Sequence, residues 1–318
     1  MGLKMCVNWH NPYEQRQGEW LRGNLHAHAT PFSPCAEVSV ADLCAAYEAC
    51  GLDFLCLSEH MMPSSPEWDG ITMLPGLEWN SRSRYMSNRA LTYHHHMGVY
   101  SPDSEVLDTA MQCRSPEHLC ARTKTERAFL VANHPNWLLP EHYDEYTLQR
   151  LASDLDGLEI YNALLEWDEG EADATGRWDR LLSQGARLLG VAGDDSHTAQ
   201  EAGKAWITAR VDGQGVEPLF QALKSGNFYC STGVTLMDIG REGDEMYISV
   251  NEGARIRVIG WAGKLLHEHI GHELRFSLNG QHGDIPPEQE YARFHVTNRN
   301  WEQAWSQPFF RFPVGQAA

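Results

Sequence analysis

The sequence predicts a mixed α/β protein in which a large α/β barrel precedes a small antiparallel β-domain. A chain of 318 residues and 35.9 kDa is long enough for two folding units. In its first part, short apolar runs typical of strands alternate with helical patterns, and His, Asp or Glu follows several of those runs. From about Gly233 onward, short alternating runs separated by Gly and Asn turns replace this pattern. We therefore expect the barrel in residues 1–232 and the β-domain in residues 233–318.

The first predicted helix and the strand that follows it have clear boundary signals. Ser39 is a predicted helix N-cap with Asp42 three residues later, and Gly51 is a typical C-terminal stop. The apolar run at 52–57 is too short for a helix and predicts a buried strand that ends before His60.

The same order of elements returns further along the chain. Apolar runs predict strands at 128–132 before His134, at 157–161 before Asn162 and at 187–192 before Asp195. Helices are predicted from about Thr175 to Gln184, ended by Gly185, and from Val216 to Lys224, ended by Gly226. Active sites of parallel α/β barrels lie at the carboxyl ends of the strands, where these polar residues occur.

The C-terminal part has a different pattern. Alternating runs at 246–250, 255–259 and 273–278 predict the strands of the β-domain. A His-Glu-His sequence at 267–269 and nearby His272 do not follow an apolar strand. We interpret these residues as a solvated loop.

Composition excludes several classes of partner. The formal net charge is −18, with 43 acidic and 25 basic residues, so the overall field repels nucleic acid and anionic lipid surfaces. A metal cluster can still reverse that field locally and bind an anionic small molecule. Eight cysteines without paired spacing are typical of reduced thiols, and no segment resembles a signal peptide or a membrane span. We expect a soluble cytoplasmic protein that binds neither nucleic acid nor membranes.

Histidines and carboxylates at the predicted strand ends form a candidate metal centre. His26 and His28 are two residues apart in an extended segment, so their side chains project to the same side and can bind one ion. The candidates are too many for one tetrahedral zinc site and suffice for two or three ions about 3.5 to 4 Å apart, bridged by a carboxylate. The candidates are His26, His28, His60, Glu78, one or two of His94, His95 and His96, His134, Asp195 and His197.

Five short motifs, taken in order, carry a family resemblance. They are Gly23-Asn24-Leu25-His26-Ala27-His28, Phe54-Leu55-Cys56-Leu57-Ser58-Glu59-His60, Asn133-His134-Pro135, Gly193-Asp194-Asp195-Ser196-His197 and Phe228-Tyr229-Cys230-Ser231-Thr232-Gly233. They resemble motifs of the polymerase and histidinol phosphatase (PHP) superfamily of metal-dependent hydrolases, and within it the CehA/McbA-like branch. The resemblance covers roughly residues 18 to 233.

The resemblance implies a distorted (β/α)7 barrel that holds two or three divalent ions of zinc, manganese or iron. It also implies hydrolysis of phosphoesters, the activity of most members. Carried over residue by residue, the implied ligands are His26, His28, His60, Glu78, His134, Asp195, His197 and one histidine of the triplet. Because neighbouring side chains of a strand alternate faces, His94 and His96 share a side; we favour His96 and retain His95.

Two positions depart from the family's pattern. The family often has Ser-Asp-Gly after its first His-x-His, and its Asp can bind a metal, whereas the matching residues here are Ser33-Pro34-Cys35. Either fewer ions are bound or Cys35 binds a metal ion in place of that Asp. The simplest interpretation of Cys35 is a buried thiol. The second motif has Glu59 where the family usually has Asp, which changes the contacts of this carboxylate around the ligands.

Together, the residues and the resemblance predict a metal-dependent hydrolase acting on phosphoesters. A hydroxide that bridges the ions would attack phosphorus in line, with Glu78 and Asp195 as catalytic carboxylates. Lys204 would bind the anionic substrate, unless it is an exposed residue at a strand end. Two alternatives stay open: hydrolysis of a carbamate or carboxylic ester at the same centre, and a non-catalytic scaffold in which protein ligands close the metal site. The sequence leaves the substrate, the metal, the oligomeric state and the role of the β-domain open.

Overall fold

The computed structural model describes residues 8–81, 95–137, 142–168, 170–279 and 290–312. This part of the chain is a mixed α/β fold with six α-helices. They are α1 (Val40–Ala49), α2 (Ser104–Gln112), α3 (Pro116–Thr123), α4 (Glu145–Leu151), α5 (Thr175–Ser183) and α6 (Val216–Ser225). None of these described helices combines the length and the apolar character that a membrane crossing requires.

Seventeen strands accompany the helices in the described residues. The strands up to residue 231 are β1 (Asn8–Trp9), β2 (Glu19–Asn24), β3 (Phe54–Leu55), β4 (Thr72–Met73), β5 (Gly76–Asn80), β6 (His96–Tyr100), β7 (Phe129–Ala132), β8 (Gly157–Asn162), β9 (Leu189–Gly193), β10 (Trp206–Val211) and β11 (Phe228–Ser231). Those of the C-terminal part are β12 (Leu236–Glu242), β13 (Glu245–Gly260), β14 (Lys264–Ser277), β15 (Tyr291–Thr297), β16 (Gln303–Ser306) and β17 (Phe309–Phe312).

The three predicted helices are confirmed as α1, α5 and α6. The Ser39 hydroxyl accepts a hydrogen bond from the Asp42 amide at 3.2 Å, which caps the start of α1. Gly226 adopts φ 76° at the end of α6, a left-handed conformation that glycine tolerates without a Cβ clash.

The C-terminal strands are longer than predicted. The runs at 246–250 and 255–259 belong to one 16-residue strand, β13, and an irregularity in its pairing with β14 separates them. The loop interpretation of 267–269 is wrong, since these residues lie within β14. Strand β14 pairs only with β13 among the described strands, so its other edge and much of its surface contact water. Such a strand carries mostly polar residues, which makes its sequence similar to that of a loop.

The strands form two open sheets, and the described residues contain no closed barrel. The larger sheet has 12 strands, with the order β1-β17-β15-β16-β11-β10-β2-β3-β4 and with β12, β13 and β14 attached through β13. The smaller sheet has five strands in the order β5-β6-β7-β8-β9. Among the described strands, β2-β3-β4 and β7-β8-β9 are the sets that pair in parallel.

Isolated bridges join the two sheets at two places, which we call the seams. One seam is the parallel bridge between Ala27 and Ser196, and the other is the parallel bridge between His60 and Glu78. The backbone leaves the extended conformation beside both bridges, at Asp195 with φ 53° and at Met61 with φ 56°. A left-handed residue interrupts a ladder of hydrogen bonds, so pairing stops there and the predicted barrel does not close as a continuous sheet.

The two parts of the chain share hydrogen bonds across the predicted boundary at residue 232. Strand β11 pairs with β16, and β1, from the start of the chain, pairs with β17 near its end. One apolar core lies around Trp79, Phe129 and Trp178, and a second lies between the C-terminal strands. The domain boundary itself stays a prediction.

A buried ion pair links helix α5 to strand β15. The Arg293 guanidinium donates from Nε and Nη2 to the two carboxylate oxygens of Asp179, at 2.9 and 2.7 Å. The Tyr291 hydroxyl donates to the same carboxylate at 2.8 Å. Both charged side chains are almost fully buried, so each depends on the other for compensation of its charge.

Candidate metal centre

Side chains from both sheets meet in one cavity. His26 and His28 follow β2 and His60 follows β3, whereas candidates on or after the strands of the smaller sheet are Glu78, His96, His134, Asp195 and His197. The cavity has a volume of about 360 Å³. Its lining residues are Cys35, His60, Glu78, His96, His134, Trp137, Leu164, Leu165, Asp168, Asp195 and His197.

The Glu78 carboxylate lies between four imidazoles. Its Oε1 is 3.1 Å from His26 Nε2, 3.2 Å from His134 Nε2 and 3.3 Å from His96 Nδ1. Its Oε2 is 3.0 Å from His60 Nδ1. A buried carboxylate whose two oxygens face different sets of imidazoles has the arrangement needed to bridge two metal ions.

Asp195 contacts both His26 and His28. Its Oδ1 is 3.2 Å from the Nε2 atoms of both His26 and His28. The positive φ of Asp195 turns the chain sharply after β9, and His197 then lies with its Nδ1 2.8 Å from the Asp195 carbonyl oxygen. Non-glycine residues with such backbone angles are concentrated at functional sites.

Four groups of three side chains have ligand atoms within 4.8 Å of one another. They are His26 with Glu78 and His134, His26 with His28 and Asp195, His60 with Glu78 and His96, and His28 with His60 and His197. Each group combines residues after β2 or β3 with residues of the smaller sheet. These buried and half-buried groups of His, Glu and Asp are suited to hold metal ions across the seams.

The imidazole donors of this centre fit a bound cation. Nε2 of His26 and Nε2 of His28 are buried and have no hydrogen-bond partner in the described residues, although carboxylate oxygens lie 3.1 to 3.2 Å away. Buried polar atoms are normally hydrogen-bonded, so donors that converge without such bonds indicate a site for an ion. Imidazole with carboxylate is a ligand set suited to zinc, manganese and iron alike.

Electrostatics keep the carboxylates ionised. Burial raises the pKa of Glu78, but the charges of His96 and His26 outweigh it and hold that pKa well below the usual range. Burial also raises the pKa of Asp195, but the charge of His26 outweighs it and holds that pKa well below its usual range. Burial lowers the pKa of His28 to about 4, so its imidazole is neutral at pH 7 and able to bind a metal ion.

Glu159 orients two of the ligands and was not among the sequence candidates. Its Oε1 lies 3.0 Å from His26 Nδ1, and its Oε2 accepts the His134 amide at 2.6 Å. A carboxylate that accepts from one ring nitrogen leaves the other nitrogen free for a metal. The signal in the sequence is a single acidic residue inside the apolar strand β8.

We expect Glu159→Gln to weaken zinc binding by roughly 10-fold to 100-fold, the usual effect of removing a partner that orients a ligand. The amide still fills the space but no longer supplies a charge to His26 Nδ1. Competition with a zinc-binding dye measures the change, and Glu105→Gln, an exposed carboxylate on α2, is the control. Equal affinities of the two variants would contradict the role of Glu159.

Glu59 supports the segment after His28 instead of facing the cavity. Its carboxylate accepts hydrogen bonds from the Ala29 amide, at 3.1 Å, and from the Ser33 hydroxyl. The Ser33 oxygen is in turn 3.2 Å from His28 Nδ1. The longer side chain at this position therefore reaches His28 through Ser33.

The cavity also contains a thiol. Cys35 is exposed, so its interpretation as a buried thiol is wrong. Its side chain is hydrogen-bonded with His197 and His60 at the edge of the cavity. Burial raises the pKa of this thiol, but the hydrogen bonds with the two imidazoles outweigh it and lower the pKa to about 6.

The histidine triplet divides between two environments. His96 lines the cavity, whereas the His95 ring lies 4.8 Å from the Tyr143 ring and belongs to none of the four groups. His94 lies outside the described residues. His142 is a further buried histidine, 4.9 Å from the His134 ring, and neither of its nitrogens has a hydrogen-bond partner in the described part of the chain.

Lys204 does not line the cavity. Its side chain is exposed, and its backbone amide donates to the Asp194 carboxylate at 2.8 Å. Its predicted role in substrate binding stays a prediction.

Comparisons with known proteins give distant structural neighbours only. No protein-family model and no curated protein sequence matches the chain. PsfC from Pseudomonas syringae is 18% identical, with a TM-score of 0.44 over 64% of this chain and 88% of that chain. Endonuclease Q from Pyrococcus furiosus is 12% identical, with a TM-score of 0.47 over 65% of this chain and 56% of that chain. An amidohydrolase from Chromobacterium violaceum is 11% identical, with a TM-score of 0.40 over 65% of this chain and 96% of that chain.

Two of these neighbours are named as hydrolytic enzymes, an endonuclease and an amidohydrolase. Similarity at this level does not identify the reaction of this chain.

Proposed function

We propose that this protein is a metal-dependent hydrolase with a polynuclear centre and that it acts on phosphoesters. The observation that carries the proposal is the position of Glu78, whose two carboxylate oxygens face different imidazoles in one cavity. Centres with shared carboxylates stabilise both the attacking and the leaving oxygen of an in-line displacement. Such a geometry suits substitution at phosphorus.

The residues of the chain divide into ligands and residues that orient them. Divalent ions, when bound, supply a nucleophilic water at neutral pH and stabilise charge on the phosphoryl oxygens. His26, His28 and His134 would hold the ions together with the carboxylates of Glu78 and Asp195. Around the ligands, the Glu159 carboxylate fixes the orientation of the His26 ring, as its distance to Nδ1 indicates.

The open cavity favours an enzyme over a metal-stabilised scaffold. The side chains of His60 and His197 are 24% and 20% exposed, so two of the candidate ligands face solvent. Structural metal sites are closed by their protein ligands, whereas catalytic sites keep a position for water or substrate.

One observation favours a second candidate, the hydrolysis of a carboxylic or carbamate ester. The described residues that line the cavity include no Lys or Arg, and its wall contains Trp137, Leu164 and Leu165. An apolar ester fits such a wall, because its carbonyl carbon carries no charge that requires a cation. For a phosphoester, the metal ions alone would have to compensate the charge of the substrate.

The family assignment is part of the same proposal. The order of the five motifs, together with the grouping of the histidines of the first four within 4.8 Å of one another or of Glu78 and Asp195, supports membership of the PHP superfamily and its CehA/McbA-like branch. The fold would then be a distorted (β/α)7 barrel interrupted at the seams. We further propose a cytoplasmic protein that acts on an anionic small molecule and not on nucleic acid, in agreement with its charge of −18.

Matched nitrophenyl substrates test the reaction. We expect protein loaded with zinc, manganese or iron to hydrolyse nitrophenyl phosphate faster than nitrophenyl acetate, relative to each uncatalysed rate. Removal of the metal by a chelator is expected to abolish turnover, and readdition is expected to restore it. Faster turnover of the acetate would favour the ester alternative, and no turnover of either substrate at full metal occupancy would contradict both.

A further inference from the structure

We propose that Asn162 is a positioning residue of the metal centre: its amide holds Oδ2 of Asp195, which leaves Oδ1 of that carboxylate for an ion. This inference rests on the proposed metal centre. It adds to the ligands a side chain that acts on them through Asp195. Asn162 is the last residue of β8 and is buried, with 1% of its surface exposed.

The Asn162 amide nitrogen lies between two carboxylates. Its Nδ2 donates to Glu159 Oε2 at 3.0 Å and to Asp195 Oδ2 at 3.2 Å. A primary amide has two N–H groups, so one side chain can donate to both oxygens. Carboxylates that approach each other in a buried site repel one another, because the low local dielectric constant strengthens the interaction between their charges. The amide offsets this repulsion by donating to each of them.

The same two carboxylates contact the two ring nitrogens of His26. Glu159 Oε1 is 3.0 Å from His26 Nδ1, and Asp195 Oδ1 is 3.2 Å from His26 Nε2. Together with the Asn162 amide, these contacts form a closed circuit of four side chains. Each member has two neighbours in the circuit, so none of the four can rotate without losing a contact. The circuit therefore holds Asp195 Oδ1 close to Nε2 of His26 and, at 3.2 Å, to Nε2 of His28.

An irregularity in β8 brings Asn162 and Glu159 to the same side of the strand. Side chains three residues apart point to opposite faces of a regular strand. The pairing of β8 with β9 shifts register between Glu159 and Tyr161, so β8 contains one extra residue there. The same pairing places Asn162 opposite Gly193, two residues before Asp195. The bulge therefore gives the Asn162 amide access to both carboxylates.

The remaining atom of this amide argues against a role in stability alone. Oδ1 of Asn162 is buried and has no hydrogen-bond partner in the described residues. A buried acceptor without a partner lowers stability, and an apolar side chain of the same shape would avoid that loss. The contacts with Glu159 and Asp195 are what the amide provides and an apolar side chain does not.

Zinc titration of the metal-free full chain, followed by competition with a zinc-binding dye, tests this role without reference to activity. Asn162→Leu keeps the approximate size of the side chain and removes both donors. We expect this variant to bind one of its zinc ions about 10-fold to 100-fold less tightly than wild type, the usual effect of removing a partner that orients a ligand.

Asn227→Leu is the matched control. Asn227 is equally buried, and its Oδ1 has no hydrogen-bond partner in the described part of the chain. Its Nδ2 donates to the backbone carbonyl of Gln15 at 2.9 Å and not to a carboxylate of the centre. We expect Asn227→Leu to bind zinc as wild type does.

A double-mutant cycle with Asp195→Asn separates positioning of Asp195 from a general loss of structure. If Asn162 acts through Asp195, then Asn162→Leu changes zinc affinity by less than about twofold once Asp195 is replaced. Asn162→Ser provides the same test if the leucine variant does not fold. Its smaller side chain keeps a single donor for two carboxylates, and we expect a loss of zinc affinity that again disappears in the Asp195→Asn background.

The possible results distinguish this inference from the proposed function. Unchanged zinc affinity in Asn162→Leu would overturn the role of Asn162 and leave the metal centre in place. An equal loss of affinity with Asp195 and with Asp195→Asn would also overturn it, since the effect would then not pass through that carboxylate. Failure of wild type to bind zinc would overturn the metal centre and this inference together.

Discussion

Glu78→Gln is expected to lower hydrolysis of the preferred nitrophenyl substrate by about a thousandfold or more. The substitution keeps the shape of the side chain but removes the charge that lies between His26, His60, His96 and His134. Metal ions contribute several kcal/mol of charge stabilisation in the transition state, and about 1.4 kcal/mol corresponds to a factor of ten in rate. Loss of a shared ligand is therefore expected to remove most of the activity.

Rate measurements at saturating metal, together with metal analysis of the same samples, check this expectation. Asp195→Asn is expected to behave similarly, since Asp195 contacts both His26 and His28. Glu105→Gln on the exposed surface of α2 is expected to match wild type. A Glu78→Gln variant with more than about a tenth of the wild-type rate would exclude Glu78 from the reaction centre.

Arg293→Met is expected to lower the free energy of unfolding by about 3 to 5 kcal/mol, because it leaves the Asp179 charge buried without its main partner. The site is far in sequence from the motifs, but it connects α5 to the C-terminal strand β15. A double variant, Arg293→Met with Asp179→Leu, removes both charges. It is expected to recover most of that loss, since well-packed apolar side chains often replace a buried ion pair without cost.

Urea unfolding followed by tryptophan fluorescence measures both variants. Asp179→Leu alone is measured as well. The coupling free energy between the two sites then follows from wild type, the two single variants and the double variant. A loss below about 1 kcal/mol for Arg293→Met would be typical of a solvated surface pair and would contradict the buried geometry.

The parts of the fold that depend on local signals could be predicted from the sequence. Ser39 and Asp42 cap α1, and Gly226 ends α6, as the sequence indicates. The presence of His60 and Asp195 in the wall of one cavity also follows from their places after apolar strands. In both cases the information lies within a few residues of the feature.

The parts that depend on distant contacts could not be predicted. Glu159 orients His26 across 133 positions of the sequence, and only the tertiary arrangement brings them together. The polar sequence of β14 is stabilised by its pairing with β13, which local propensity does not include. The left-handed backbone of Asp195 interrupts strand pairing at one seam. The sequence does not predict this conformation, because non-glycine residues rarely adopt such angles.

The seams have a consequence for the motions of the chain. The His28 amide donates to the Ser196 carbonyl at 2.9 Å and the Asp195 amide donates to the His26 carbonyl at 2.9 Å, so two backbone bonds hold the sheets together between the ligands. Metal ions held by ligands from both sheets would add metal–ligand bonds at this seam. These bonds must break before the sheets can separate. The exchange of these two amide protons with solvent deuterium is then expected to slow on metal loading far more than exchange within β8, which makes sheet separation and metal release one opening event.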